Sequence, residues 1–291
     1  MTAAALDAEI GSARQKWPAL LWIALLTALW IALTYSFPVI TASGAPSAAS
    51  RLFIHILIAL GLWLGLERTG LAPAQRRNVW LAVMIPFTLW LAVIWGAAIN
   101  GVFRAGISPI PIPLTPLAIF LPVIIGAPIL LRSRRLGEVL DAMPATWLIA
   151  LQVYRVLGSV FLIGWAGGTV PGIFGLPAGI GDVITGLFAL PVAISVAAGT
   201  IEGRRAAIAW NTFGLLDFTV AVSIGLVTSP GPLQLIVPSI SNVQLGTYPS
   251  VLVPAFAVPS SILLHVLSLR QLYRRSRPAE TRAAAGAPAL A

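Results

Sequence analysis

The sequence predicts an all-α, polytopic integral membrane protein of eight spanning helices, with both termini in the cytoplasm. Three observations predict it. Of 291 residues, 58% are hydrophobic and only 9% charged, against about 25% charged in an ordinary soluble domain. Apolar runs recur at the ~18–20 residues that an α-helix needs to cross ~30 Å of hydrocarbon. The basic residues gather at the ends of those runs instead of covering a surface.

The leader 1–16 precedes span one, residues 17–37. The run exceeds a signal-peptide core of roughly 7–15 residues, and the leader carries Asp7 and Glu9. An uncleaved helix is therefore expected, although small residues follow at 41–45. Span two, 47–66, holds Arg51 near one end, where a long side chain snorkels to water, and His55 within. Span three covers 78–100 behind Arg76-Arg77, and Pro109, Pro111, Pro113 and Pro116 form an extended segment leading into span four, 114–131.

Beyond the connection 132–144 lies span five, 145–166, where Gln152, Arg155 and Ser159 share a polar stripe at three- and four-residue spacing. Span six, 176–199, begins in Gly175-Leu176-Pro177-Ala178-Gly179-Ile180-Gly181-Asp182. That segment is too rich in Gly and Pro for a regular helix and reads as a broken one, with free backbone groups beside an ion or substrate site. Span seven, 206–227, aligns Trp210, Gly214, Asp217 and Ala221, and span eight, 249–272, aligns Ser261, His265 and Ser268. The long apolar connection 228–248 reads as a re-entrant loop, a lid, or a loop on the bilayer surface. The Ala- and Pro-rich tail, 273–291, reads as disordered.

This count places fifteen basic residues on one side of the membrane and only Arg51 and Arg104 on the other, with Arg155 inside a span. The positive-inside rule then puts both termini in the cytoplasm. Segment 132–144 divides the spans into 17–131 and 145–272. A 4+4 parallel repeat would pair Arg76-Arg77 with Arg204-Arg205, but such pairs are common enough to coincide. Seventeen arginines against the single Lys16 fit a GC-rich bacterial genome, hence an inner membrane. Trp17, Trp95, Trp147 and Trp165 fit an interfacial belt.

Composition removes several functions. The absence of Cys excludes thiolate chemistry. One lysine, ahead of span one, excludes an intramembrane Schiff base and a phosphate-binding loop of the Gly-Lys type. His55 and His265 are too few for an all-His zinc site and differ in depth, against a bis-histidine haem. No cofactor is expected, and the basic clusters mark topology, not nucleic acid. The partners are the lipid bilayer and a small-molecule or ion ligand; oligomeric state is left open.

The second half concentrates the polarity: Gln152, Arg155, Asp182, Asn211, Asp217 and His265. Arg155, Asp182 and Asp217 fall near mid-membrane. Left isolated, the three would cost on the order of 8–10 kcal/mol, so they must face the bundle interior and find partners. Arg155 neutralises one carboxylate and leaves a net −1, which calls for a shared proton, a bound cation or solvent entering through a cavity. His265 is either a proton relay or a neutral histidine bonded to a serine or carbonyl. The leading reading is a secondary carrier or permease with proton or cation coupling at Asp182, Asp217 and Arg155, the six residues together forming the candidate ion- or substrate-binding site. A non-catalytic membrane subunit with structural charges is the alternative. A membrane-embedded enzyme is disfavoured by the lack of Cys, the scarcity of His and the short loops.

Overall fold

The computed structural model describes residues 3–36, 45–104 and 114–275, so the proline run at 109–113, the small residues at 41–44 and the tail from 276 lie outside the described residues. Among them are nine helices longer than one turn or two, α1 (Ala3–Ser36), α2 (Ala45–Glu67), α3 (Pro73–Ile99), α4 (Leu114–Arg132), α5 (Arg134–Ala142), α6 (Thr146–Ala166), α7 (Gly172–Ala197), α8 (Ile201–Thr228) and α9 (Val253–Arg275), and a short 3₁₀ turn over Val243–Gly246. No strand is present among the described residues. All but α5 are long and apolar enough to cross a membrane. Leucines and isoleucines such as Leu25, Ile56, Ile85, Leu89, Ile124 and Leu216 point outward. So large an apolar surface is intolerable in water and suits lipid.

Two features depart from the sequence expectation. The Gly- and Pro-rich stretch does not break: α7 runs unbroken through Pro177 and Pro191. The irregular span is its neighbour α6, which tightens into a 3₁₀ helix over Gln152–Ser159. The glycines explain both facts. A Cβ on Gly179 would sit 2.6 Å from Leu162, and one on Gly186 would sit 2.5 Å from the backbone nitrogen of Val156. They are the bare face of α7 on which α6 is laid, the small-residue packing of membrane helices, and not a break. The 3₁₀ rise of ~2.0 Å per residue stretches that part of α6 by about 4 Å relative to an α-helix.

The second departure is α5, read as a plain connection. Ser133 caps it by accepting from the Leu136 backbone N–H at 3.2 Å, and Leu136, Val139 and Leu140 bury one face against Leu66 and Leu264. The end of α9 then caps its neighbours. Arg270 donates to the carbonyls of Leu130 and Ser133 at 2.7 and 2.9 Å, and Gln271 donates to those of Leu140 and Met143 at 2.6 and 2.8 Å. Arg274 pairs with Asp141. Carbonyls left free where α4 and α5 end are thereby satisfied.

In the bundle, α7 packs on α6, α8 and α1, while α9 packs on α4, α3, α6 and α8. The first helix thus lies on the second half of the chain. Buried apolar clusters sit at both ends, around Leu91, Leu252 and Phe256 and around Ile149, Val192 and Trp210. Polar residues occupy the level between.

Candidate functional site

The 3₁₀ turn of α6 sets the site's geometry. With three residues per turn, Gln152, Arg155 and Gly158 fall on one edge, replacing the α-type stripe of Gln152, Arg155 and Ser159. Gly158 matters because a Cβ there would collide with the Asp182 carboxylate, and one on Gly181 would collide with that of Asp217. The two glycines let both acids reach Arg155.

Arg155 is 1% exposed at its side chain. Its Nε donates to Asp182 Oδ1 at 2.7 Å, and Nη2 lies 2.7 Å from the same oxygen. Nη2 also donates to Asp217 Oδ2. Nη1 is 3.1 Å from His265 Nε2 and 3.5 Å from the Gly214 carbonyl. The plane of the guanidinium rests 3.9 Å from the Phe218 ring centroid, a desolvated cation–π contact. Every edge of the cation is matched, as burial at mid-membrane demands.

His265 is held by a chain whose polarity can be assigned. Asn211 Nδ2 donates to the Ala207 carbonyl at 2.8 Å and to Ser268 Oγ at 3.1 Å, which leaves its Oδ1 as an acceptor 2.9 Å from His265 Nδ1. Nδ1 therefore carries the proton and Nε2 accepts from Arg155. A second proton on Nε2 would face the guanidinium, so the geometry is that of a neutral positioning histidine. The Trp210 ring packs tilted against it, centroids 5.0 Å apart, and donates to the Thr185 carbonyl at 3.0 Å.

All six sequence-picked residues, Gln152, Arg155, Asp182, Asn211, Asp217 and His265, converge on this level. Gln152 joins through the Ser261 carbonyl, at 3.3 Å from its Nε2. Three contributors escaped sequence reading. Tyr154 donates to Ser261 Oγ at 2.5 Å, since that hydroxyl itself donates to the Ala257 carbonyl at 2.8 Å. Phe218 supplies the ring face. Arg51, expected at an interface, is buried, its Nε has no partner, and it faces a cavity of about 40 Å³ shared with Tyr154, Arg155 and Asp182. Its signal was the four-residue spacing to His55, both on the inward side of an otherwise apolar α2. His55 lies elsewhere, 2.9 Å from Thr88 on α3.

Arg51 corrects the charge count. Two cations and two carboxylates make a neutral cluster, so a spare negative charge no longer calls for a bound ion. What remains of the expectation is the third route, a cavity. A space of about 440 Å³ opens between α4 and α8, at the end bearing the connection between α8 and α9. Phe161, Phe174, Ile119 and Leu245 form its apolar walls; Asp182 and Asp217 form its floor. Residues 229–233 and 242–246 roof it, so the long connection has a lid's position, while Leu235 and Val237 stay exposed. Each acid gives one oxygen to Arg155, while its second oxygen, Oδ2 of Asp182 or Oδ1 of Asp217, has no hydrogen-bond donor among the described residues.

Residues 112–273 match the family model of a domain of unknown function, DUF8737. The match spans the helices from α4 to α9 and every residue of the cluster except Arg51. No curated protein and no solved structure matches the chain.

Proposed function

We propose that this chain, which belongs to the DUF8737 family by a match over more than half its length, is a secondary carrier of the bacterial inner membrane. The observation that supports this reading is the double exposure of Asp182 and Asp217. They belong at once to a sealed network on Arg155 and to the floor of a large, mostly apolar cavity. A purely structural ion pair has no need of such a cavity.

With both termini cytoplasmic, the cavity opens outward, and a proton or small cation entering it meets the free oxygens of the two acids. Two irregular turns border the cluster, the 3₁₀ segment of α6 and a π-turn over Val253–Ala257 at the start of α9. Local irregularities of this kind are where a helix can shift register at low cost. The rod of α9 joins His265 at the site to the clamp of Arg270 and Gln271, so rearrangement at the cavity reaches the opposite face through one helix.

The test is the thermal stability of the purified protein across pH and Na⁺ concentration, in wild type, Asp182→Asn and Asp217→Asn. An ion held at 100 times its Kd stabilises by about 2.7 kcal/mol, and the stabilisation disappears in the variant that lacks its ligand. A flat ion response with uniformly weakened variants makes the charges structural glue and removes the carrier reading.

A further inference from the structure

We infer that the cavity accepts an amphiphilic ammonium, a protonated amine carrying an apolar body, with its N–H groups on the free oxygens of Asp182 and Asp217. The inference rests on the carrier reading and names the substrate class of that site. Three independent features converge on it.

The first is polarity by side. Both acids line the large cavity, whose one lining cation is the exposed Arg104, while Arg155 and Arg51 line the small cavity, which Asp182 also borders. Coulomb energy falls with distance and rises in low dielectric, so the nearer carboxylates dominate the field at the floor although the cluster is neutral. The second is Asn242, fully buried in the cavity wall. Its Nδ2 donates to Thr228 Oγ1 at 3.0 Å, and that hydroxyl is already committed as a donor to the Ile224 carbonyl at 2.7 Å. The amide orientation is thus fixed, and its Oδ1 is left with no donor. Thr228 lies eleven residues along α8 from Asp217, about 16 Å at 1.5 Å per residue, so Asn242 marks the far end of the cavity, where its unpaired acceptor calls for a donating group on the ligand's body, apart from the ammonium. The third is size and character: about 440 Å³ with phenylalanine and aliphatic walls suits a body of drug-like dimensions, for which pockets of ~300–1,000 Å³ are usual. A proton or Na⁺ on the same oxygens would compete with the amine, which makes exchange the natural mode.

The experiment titrates the full-length protein in detergent with 4-phenylbutylammonium, 4-phenylbutanol and 4-phenylbutanoate, following binding by calorimetry and melting temperature. The ammonium is expected to bind at least tenfold more tightly than the alcohol, and the carboxylate more weakly still. Asp217→Asn should cost the ammonium at least tenfold. Gly225→Leu fills the cavity without touching the acids. A Cβ at Gly225 meets Phe174 at 3.4 Å and Leu245 at 3.6 Å, ordinary contacts, so the side chain has room at its root; with a melting temperature matching wild type, this variant should abolish binding even if Asp217→Asn folds poorly. Equal binding of alcohol and ammonium, tighter binding of the carboxylate, or ammonium binding unaffected by Gly225→Leu would each overturn the inference. Ion-linked stability without ammonium binding overturns it and leaves the carrier reading standing. Ammonium binding by a protein whose ligand-free stability does not respond to pH or Na⁺ does the reverse.

Discussion

Removing the guanidinium of Arg155 while keeping the acids is the sharpest perturbation of the buried cluster. Arg155→Ala strands two carboxylates. Breaking a buried pair from one side costs about 3–5 kcal/mol in soluble proteins. Polar contacts between membrane helices average only about 0.6 kcal/mol, because the unfolded state in the bilayer also finds partners. The two acids decide which figure applies. Asp182 is 16% exposed at its side chain and shares the small cavity with Arg51, so it keeps a cation and some solvent. Asp217 is 6% exposed and, among the described residues, forms an ion pair with Arg155 alone. Asp217 should therefore carry most of the penalty, on the order of 3 kcal/mol, equivalent to a fall of about 6–12 °C in melting temperature. The assay is the melting of the purified protein followed by size-exclusion recovery. Arg155→Ala/Asp217→Asn should regain about half of the loss, and Arg155→Ala/Asp182→Asn clearly less. A single variant within 2 °C of wild type, or the opposite order of rescue, would refute the electrostatic reasoning.

Other perturbations follow from steric and capping geometry. Gly181→Ala drives a methyl group into the Asp217 carboxylate and should lower the melting temperature by several degrees, whereas Gly225→Ala, in open contact, should be neutral or gain up to ~1 kcal/mol of helix propensity. Gln271→Ala removes donors from the Leu140 and Met143 carbonyls, so amide exchange in 134–142 should accelerate while that of α7 is unchanged. The chain contains no Cys, so Arg135→Cys and Ser239→Cys report topology directly with an impermeant maleimide. The first should label from the cytoplasm and the second from outside. Labelling of both from one side would end the eight-span arrangement.

The spans were legible because a membrane imposes length and apolarity on each helix separately, a local demand that sequence displays. Convergence of Arg155, Asp182 and Asp217 was legible for a related reason: at mid-membrane a charge without a partner is too costly to tolerate. What sequence hid was relational. Gly175 to Gly181 looked like a helix breaker, yet Gly175 and Gly179 serve as a surface for α6 and Gly181 makes room for Asp217 of α8, roles that exist only once the neighbours are in place. Arg51 looked peripheral by residue count, and its burial depends on the small cavity it shares with residues of α6, α7, α8 and α9. Arg270 and Arg274 read as topology charges, although Arg270 also caps the end of α4 and Arg274 pairs with Asp141 of α5, roles invisible without the fold that brings α5 beside α9.

The Arg51 correction changes the kind of mechanism the cluster can support. A site with net −1 would hold a cation permanently, as structural ballast. A neutral site is stable when empty, and each added proton or cation carries it to +1 in a low-dielectric setting, where a second is strongly disfavoured. Occupancy is then one cation at a time, the condition an exchanger needs. Arg51→Gln should relax that condition by restoring a net −1. Apparent affinity for a monovalent cation should rise at least tenfold, read from the concentration dependence of the ion-induced melting shift. An unchanged affinity would show that Arg51 lies outside the electrostatic unit, and the one-cation argument would fall with it.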